Sequence, residues 1–180
     1  MNEIAFGTLT WYDLLAQGIG FVATAIMFLS FQQRTTKGII FFQIISTSFF
    51  ALHFFLLGAY SGSVANVLGV VRNLIFVHRG KRWADHPAWL YGFCISFVIS
   101  GIVTWQDISS LLPIVGMILG TVALYSTKPF RTRCISIGCS ASWLTYNVLS
   151  HSVPGALTET LALCSIFIAM FKYDFKRSKA

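Results

Sequence analysis

Charge is scarce in this chain. Of its 180 residues, 11% are Asp, Glu, Lys or Arg, against roughly 25% in ordinary soluble domains. A soluble fold of this size has no interior able to hide a composition that is 56% hydrophobic. The low hydrophobicity that keeps chains disordered is missing as well. The class left standing is an all-helical integral membrane protein.

Other absences narrow the function. There is no H-E-x-x-H, no P-loop and no Cys/His cluster with metal-ligand spacing. The segment "GCSAS" (Gly138–Ser142) lacks the second glycine of G-x-S-x-G. It also falls in an apolar helix rather than at a strand–turn–helix elbow. An enzyme is not expected, and no cofactor or metal is implied. The four cysteines, Cys94, Cys134, Cys139 and Cys164, form no C-x-x-C pair. They lie in or beside apolar runs, where free Cys acts as a small apolar packing residue. The start, "MNEIAFGTLTWYD", has no basic residue ahead of its apolar run, so that run is expected to be kept as a span and not cleaved as a signal peptide.

What the chain does have is apolar runs. A spanning helix needs about 20 mostly apolar residues. Seven candidates occur, near Leu14–Phe31, Ile39–Leu57, Ser63–Val77, Ala88–Trp105, Ser109–Ser126, Cys134–Ser150 and Pro154–Phe171. The third is the shortest and contains Arg72.

The net charge of +7 is not gathered into a nucleic-acid-binding patch. Threading seven spans places Arg34 and Lys37, then Arg79, Lys81 and Arg82, then Lys128, Arg131 and Arg133, and finally the basic tail on one side. The other side carries Glu3, Asp13 and Asp107 with no Lys or Arg. Basic loops stay cytoplasmic, so the N-terminus is expected outside and the C-terminus in the cytoplasm. The partner implied is the lipid bilayer. Self-association into a homo-oligomer is left open.

The pattern also repeats. Spans one to three read as apolar helix, basic loop, then two helices joined by a tight turn, and spans five to seven read the same way. "QRTTKG" (Gln33–Gly38) aligns with "FRTRCI" (Phe130–Ile135), and the outer turns pair Gly62 with Gly155. The two registers differ by four residues, about one helical turn. Small residues four apart, Gly20 and Thr24, Gly116 and Gly120, open both halves and allow close helix approach in lipid. A three-helix unit ends on the side opposite to its start, so one linking helix must return the chain before the unit repeats. The layout is three, one, three: residues 14–78, a linker at 88–105, and residues 109–172.

This 3+1+3 layout resembles the SWEET and PQ-loop transporter superfamily, in which parallel repeats are related by an axis along the membrane normal. The whole chain, with "SFQQRTTKG", is also similar to the YgjV family of bacterial inner-membrane proteins. The proline–glutamine pair of the PQ-loop would fall at Gln32 and Gln33, where proline is absent, and Pro129 stands without the glutamine. The transporter resemblance implies an asparagine on the third helix of each repeat, with tryptophan nearby, lining a substrate site. Asn66 fits that position. Glu159 replaces the second asparagine, which suggests a cationic substrate or proton coupling rather than plain sugar binding. Trp143 would be an aromatic platform, and its counterpart is Phe50.

Ionisable groups inside spans are costly and usually face a protein interior or a wet cavity. Here they are His53, Arg72 and Glu159, with neutral Gln17, Gln43, Asn66, Asn73 and Asn147. The repeat register makes Asn66 equivalent to Glu159 and His53 equivalent to Tyr146, bringing them into one layer. Arg72 lies about 9 Å deeper than Asn66 and about 120° around the helix. It could pair with Glu159, line a path, or snorkel to the headgroups with its stem in lipid. The expected function is a small-solute transporter with a central site formed by His53, Asn66, Trp143, Tyr146 and Glu159. The competing reading is a non-transporting membrane protein, either a partner subunit or a structural one. The two differ on whether the polar layer opens into a cavity.

Overall fold

The computed structural model describes residues 10–33, 35–126 and 128–175, and the apolar runs in it are helices. They are α1 (Trp11–Phe31), α2 (Thr36–Leu56), α3 (Tyr60–Phe76), α4 (Ala88–Val103), α5 (Leu111–Tyr125), α6 (Pro129–Leu149) and α7 (Val153–Met170). A short 3-10 turn, Ile108–Ser110, leads into α5, and a π-type turn, Phe171–Phe175, extends α7. No strand occurs among the described residues.

Local chemistry sets the helix starts. Thr10 and Asp13 close a reciprocal capping box on α1, with Asp13 N–H on the Thr10 hydroxyl and Thr10 N–H on the Asp13 carboxylate. The Thr35 hydroxyl accepts the Gly38 amide at the head of α2. Ser152 does the same for Gly155 at the head of α7, where Pro154 fits the first turn. α6 begins at Pro129, ahead of the apolar run that starts at Cys134. A proline needs no amide partner in a first turn, and Arg133 is held there by an ion pair to Asp174 at 2.6 Å. α3 starts at Tyr60, before Ser63.

Among the described residues, four stretches are long and apolar enough to cross a membrane: Trp11–Ser30, Lys37–Leu56, Ile108–Tyr125 and Val153–Asp174. α4 is a shorter apolar helix. α3 has 17 residues, a rise of about 26 Å. α6 is long, but it carries Arg131, Arg133 and a series of hydroxyl residues. Large apolar side chains such as Ile102, Val103, Val148 and Ile168 point outward, as expected of surface that meets lipid rather than water.

Packing follows a simple rule of neighbours. α1 packs on α2 and α2 on α3; likewise α5 packs on α6 and α6 on α7. Across the molecule α1 meets α7 and α3 meets α5. Exchanging the first three helices with the last three leaves this pattern unchanged. α4 lies against α3 and α5, outside that set. Close approach is made possible by missing side chains. A Cβ on Gly116 would lie 2.7 Å from the Trp143 ring, and one on Gly62 would lie 2.5 Å from the Tyr146 ring.

Candidate functional site: a cavity among six helices

A cavity of about 740 Å³ lies among the helices, within the range usual for small-molecule sites. Its lining comes from α1, α2, α3, α5, α6 and α7, and α4 contributes nothing. Phe50 and Phe54 of α2 and Trp143 of α6 form an aromatic wall, with the Phe54 and Trp143 ring centroids 5.9 Å apart. Asn66, Arg72, Asn147 and Glu159 supply polar groups.

The cavity runs along most of the length of the helices. Met27, Leu124 and Ile166 carry its lining towards the helix ends that bear the basic loops, and Phe54, Asn147 and Gly155 carry it close to the opposite ends. At the basic end Arg79 donates to the Leu124 carbonyl and Arg133 pairs with Asp174. At the opposite end a set of hydrogen bonds ties the helices together. The Gln17 side chain donates to the His151 carbonyl at 2.8 Å. Gln106 clips the turn between α2 and α3, accepting the Tyr60 amide and donating to the Gly58 carbonyl. Ser61 donates to the Thr104 carbonyl and meets Ser110.

Arg72 does not snorkel. Its guanidinium turns into the bundle, donating from Nη1 to the Thr121 hydroxyl at 3.1 Å and from Nε and Nη2 to the Asn73 amide oxygen. Gly120 lies beside it, where a Cβ would make ordinary contact with Nη1 at 3.7 Å. Nor does Arg72 pair with Glu159. The ion pairs among the described residues are Arg79–Asp85 and Arg133–Asp174. The Glu159 carboxyl faces the Ser140 hydroxyl instead.

Of the six residues singled out in the sequence, Asn66, Arg72, Trp143 and Glu159 share the cavity wall. His53 and Tyr146 do not line it, and each is fully occupied elsewhere. His53 is completely buried. Its Nδ1 lies 2.7 Å from the Ala16 carbonyl and its Nε2 lies 2.7 Å from the Ser152 hydroxyl. A carbonyl only accepts, so Nδ1 carries the proton and Nε2 accepts from Ser152. Tyr146 accepts the Gly62 amide at 2.9 Å and donates to the Ala59 carbonyl at 3.3 Å. These two side chains are struts between the halves, on the far side of the aromatic wall.

Phe54 and Thr121 were not singled out, and Asn147 was noted only as a neutral polar group in a span; Phe54 and Asn147 line the cavity, and Thr121 holds Arg72 beside it. Phe54 stands one helical turn beyond Phe50, a spacing that places both on one face. Asn147 follows Tyr146 directly and faces the cavity, while the tyrosine turns to α3. Thr121 matches Thr24 in the register that pairs Arg34 with Arg131. Thr24 meets the Thr158 hydroxyl and the Pro154 carbonyl, tying α1 to α7. Thr121 accepts from Arg72, tying α5 to α3.

Apolar outward faces, four long apolar stretches and a polar-lined interior define a helical membrane protein. The sequence profile of Imp-YgjV, described as a bacterial inner membrane protein, matches residues 14–177, and the chain belongs to that family. The protein called inner membrane protein YgjV from Escherichia coli (strain K12) is 27% identical over 148 residues, covering 81% of this chain and 76% of that one. No solved structure matches.

Proposed function

We propose that the chain is a small-solute transporter of the bacterial inner membrane, with seven spans arranged as two parallel three-helix repeats joined by α4. The observation that carries this reading is the cavity, lined by all six repeat helices and by none of the linker. A dry, packed polar layer would have favoured a structural or partner-subunit role. The exchangeable neighbour pattern supports the duplication. In this reading the solute sits beside Asn66, Trp143 and Glu159, and alternating access rocks one three-helix unit against the other. The N-terminus is periplasmic and the basic loops are cytoplasmic. His53 and Tyr146 tie the two units together at the periplasmic end, and their release is the step that would let that end open.

The test is uptake into proteoliposomes containing the purified chain, using labelled sugars, amino acids and polyamines at two pH values, with Glu159→Gln as the control. Saturable uptake that the substitution abolishes is the expected result. No uptake across that panel by folded protein would transfer the proposal to the non-transporting reading.

A further inference from the structure

We infer that the cavity takes a zwitterionic solute, one carrying an ammonium or quaternary amine together with a carboxylate, a substrate class that rests on the transporter reading above. Arg72 and Glu159 line one cavity, yet they are not paired with each other. Each has neutral partners only: Thr121 and Asn73 for the guanidinium, Ser140 for the carboxyl. Opposite charges set in a low-dielectric interior without pairing are expensive, and in spans such groups mark solute paths. The guanidinium has five N–H donors. Three are taken by Thr121 and Asn73, so two are left for a carboxylate. The Glu159 side offers its carboxyl, the Asn66 amide and the faces of Trp143 and Phe50, a setting that suits an amine.

The spacing also discriminates. Arg72 stands about 9 Å of helix rise from Asn66, and its guanidinium is turned to Thr121 and Asn73 rather than to Glu159. A solute in the cavity that both residues line can therefore sit between them. A neutral sugar compensates neither charge. A simple cation answers Glu159 but adds to the positive field of Arg72, and a simple anion does the reverse. Only a molecule bearing both signs offsets both.

The experiment is uptake by the full-length chain in proteoliposomes, with a charge-matched set of labelled solutes. Alanine, γ-aminobutyrate and glycine betaine are the zwitterions, putrescine the cation, succinate the anion and glucose the neutral solute. Saturable uptake of at least one zwitterion is expected, about ten-fold or more above the other three, as befits a site that leaves a charge unpaired for every other class. Arg72→Gln should lower zwitterion uptake and raise putrescine relative to it, while Glu159→Gln should favour succinate in the same relative sense. Arg72→Lys should retain the preference for zwitterions. Thermal unfolding in detergent separates lost recognition from lost fold. Should the glutamine variants fail to fold, competition on the unsubstituted chain decides: an unlabelled zwitterion must block uptake, and an equimolar mixture of putrescine and succinate must not. Saturable uptake of glucose, putrescine or succinate in preference to the zwitterions would overturn this inference and leave the transporter reading standing. Absence of uptake for all six overturns it too, and the broader panel above then decides the transporter reading separately.

Discussion

His53 and Tyr146 stand at equivalent positions of the two halves and make the same kind of connection in opposite directions. His53, on α2, reaches Ser152 at the head of α7. Tyr146, on α6, reaches Ala59 and Gly62 at the head of α3. In the register that pairs Gly62 with Gly155, Ser152 is the counterpart of Ala59. Both helix heads therefore place a hydroxyl oxygen on the same amide. Ser152 supplies its own to Gly155. Ala59 has no hydroxyl to give, and Tyr146 supplies the oxygen from the other half. An early helix amide needs such a partner because no earlier carbonyl can serve it.

Tyr146→Phe should therefore destabilise the chain by about 1–3 kcal/mol, the cost of a buried amide left unpaired. Adding Ala59→Ser should restore a cap from within α3 and recover about 0.5–2 kcal/mol. Unfolding of the single and double variants in detergent reads both effects. A double variant no more stable than Tyr146→Phe would show that the tyrosine is not acting as a cap.

Ser152→Ala should cost more than Tyr146→Phe. It leaves the Gly155 amide without its acceptor and His53 Nε2 without its donor, two buried vacancies at about 1–3 kcal/mol each. His53 is held in place by Ala16 on its other nitrogen, so the ring has little freedom to find a new partner. Equal losses for the two variants would mean that the Ser152–His53 bond contributes nothing.

The seven helices could be read from the sequence because each apolar run is bounded by polar or turn-forming residues. Their starts were less legible where a helix begins in polar sequence. α6 opens on Pro129 and carries Arg131 and Arg133 before its apolar part, and a count of apolar residues misses that turn. Side-chain direction was the least legible feature. A helix apolar all round gives no phase to tell its inner face from its lipid face, so an equivalence of position between His53 and Tyr146 could be read, but not the fact that both turn away from the cavity. Arg72 looked able to reach the headgroups because its partner Thr121 lies on a helix distant in sequence.

Gly116→Ala and Gly92→Ala make a matched pair. At Gly116 the added carbon would lie 2.7 Å from the Trp143 ring, and moving a buried indole in a packed wall should cost about 1–3 kcal/mol. At Gly92, on α4, nothing lies within 4 Å, so the same change should be neutral or gain about 0.4–1 kcal/mol by restricting the unfolded chain. Thermal unfolding measures both. Gly116→Ala should also alter solute affinity, since Trp143 lines the cavity, whereas Gly92→Ala should leave it unchanged.

Cys139 gives a test of which end the cavity serves. It lines the cavity beside Gly120, whose added Cβ would lie 3.3 Å from its sulfur. With Cys94, Cys134 and Cys164 replaced by serine, Cys139 is the remaining thiol. A small membrane-impermeant methanethiosulfonate, applied to sealed vesicles of each orientation, should label it much faster from the face bearing Lys81 and Lys128 than from the face bearing Asp107. The lining reaches towards the first face through Leu124 and Ile166 and towards the second through Phe54 and Gly155, but at the second face the ties made by Gln106, Tyr146 and His53 lie across the way in, and slower labelling there is what those ties predict. Tyr146→Phe should raise the slow rate at the Asp107 face selectively, because it releases one of the two struts there. Equal labelling from both faces before any substitution would rule out a sealed far end, and faster labelling from the Asp107 face would reverse the assigned orientation of the cavity.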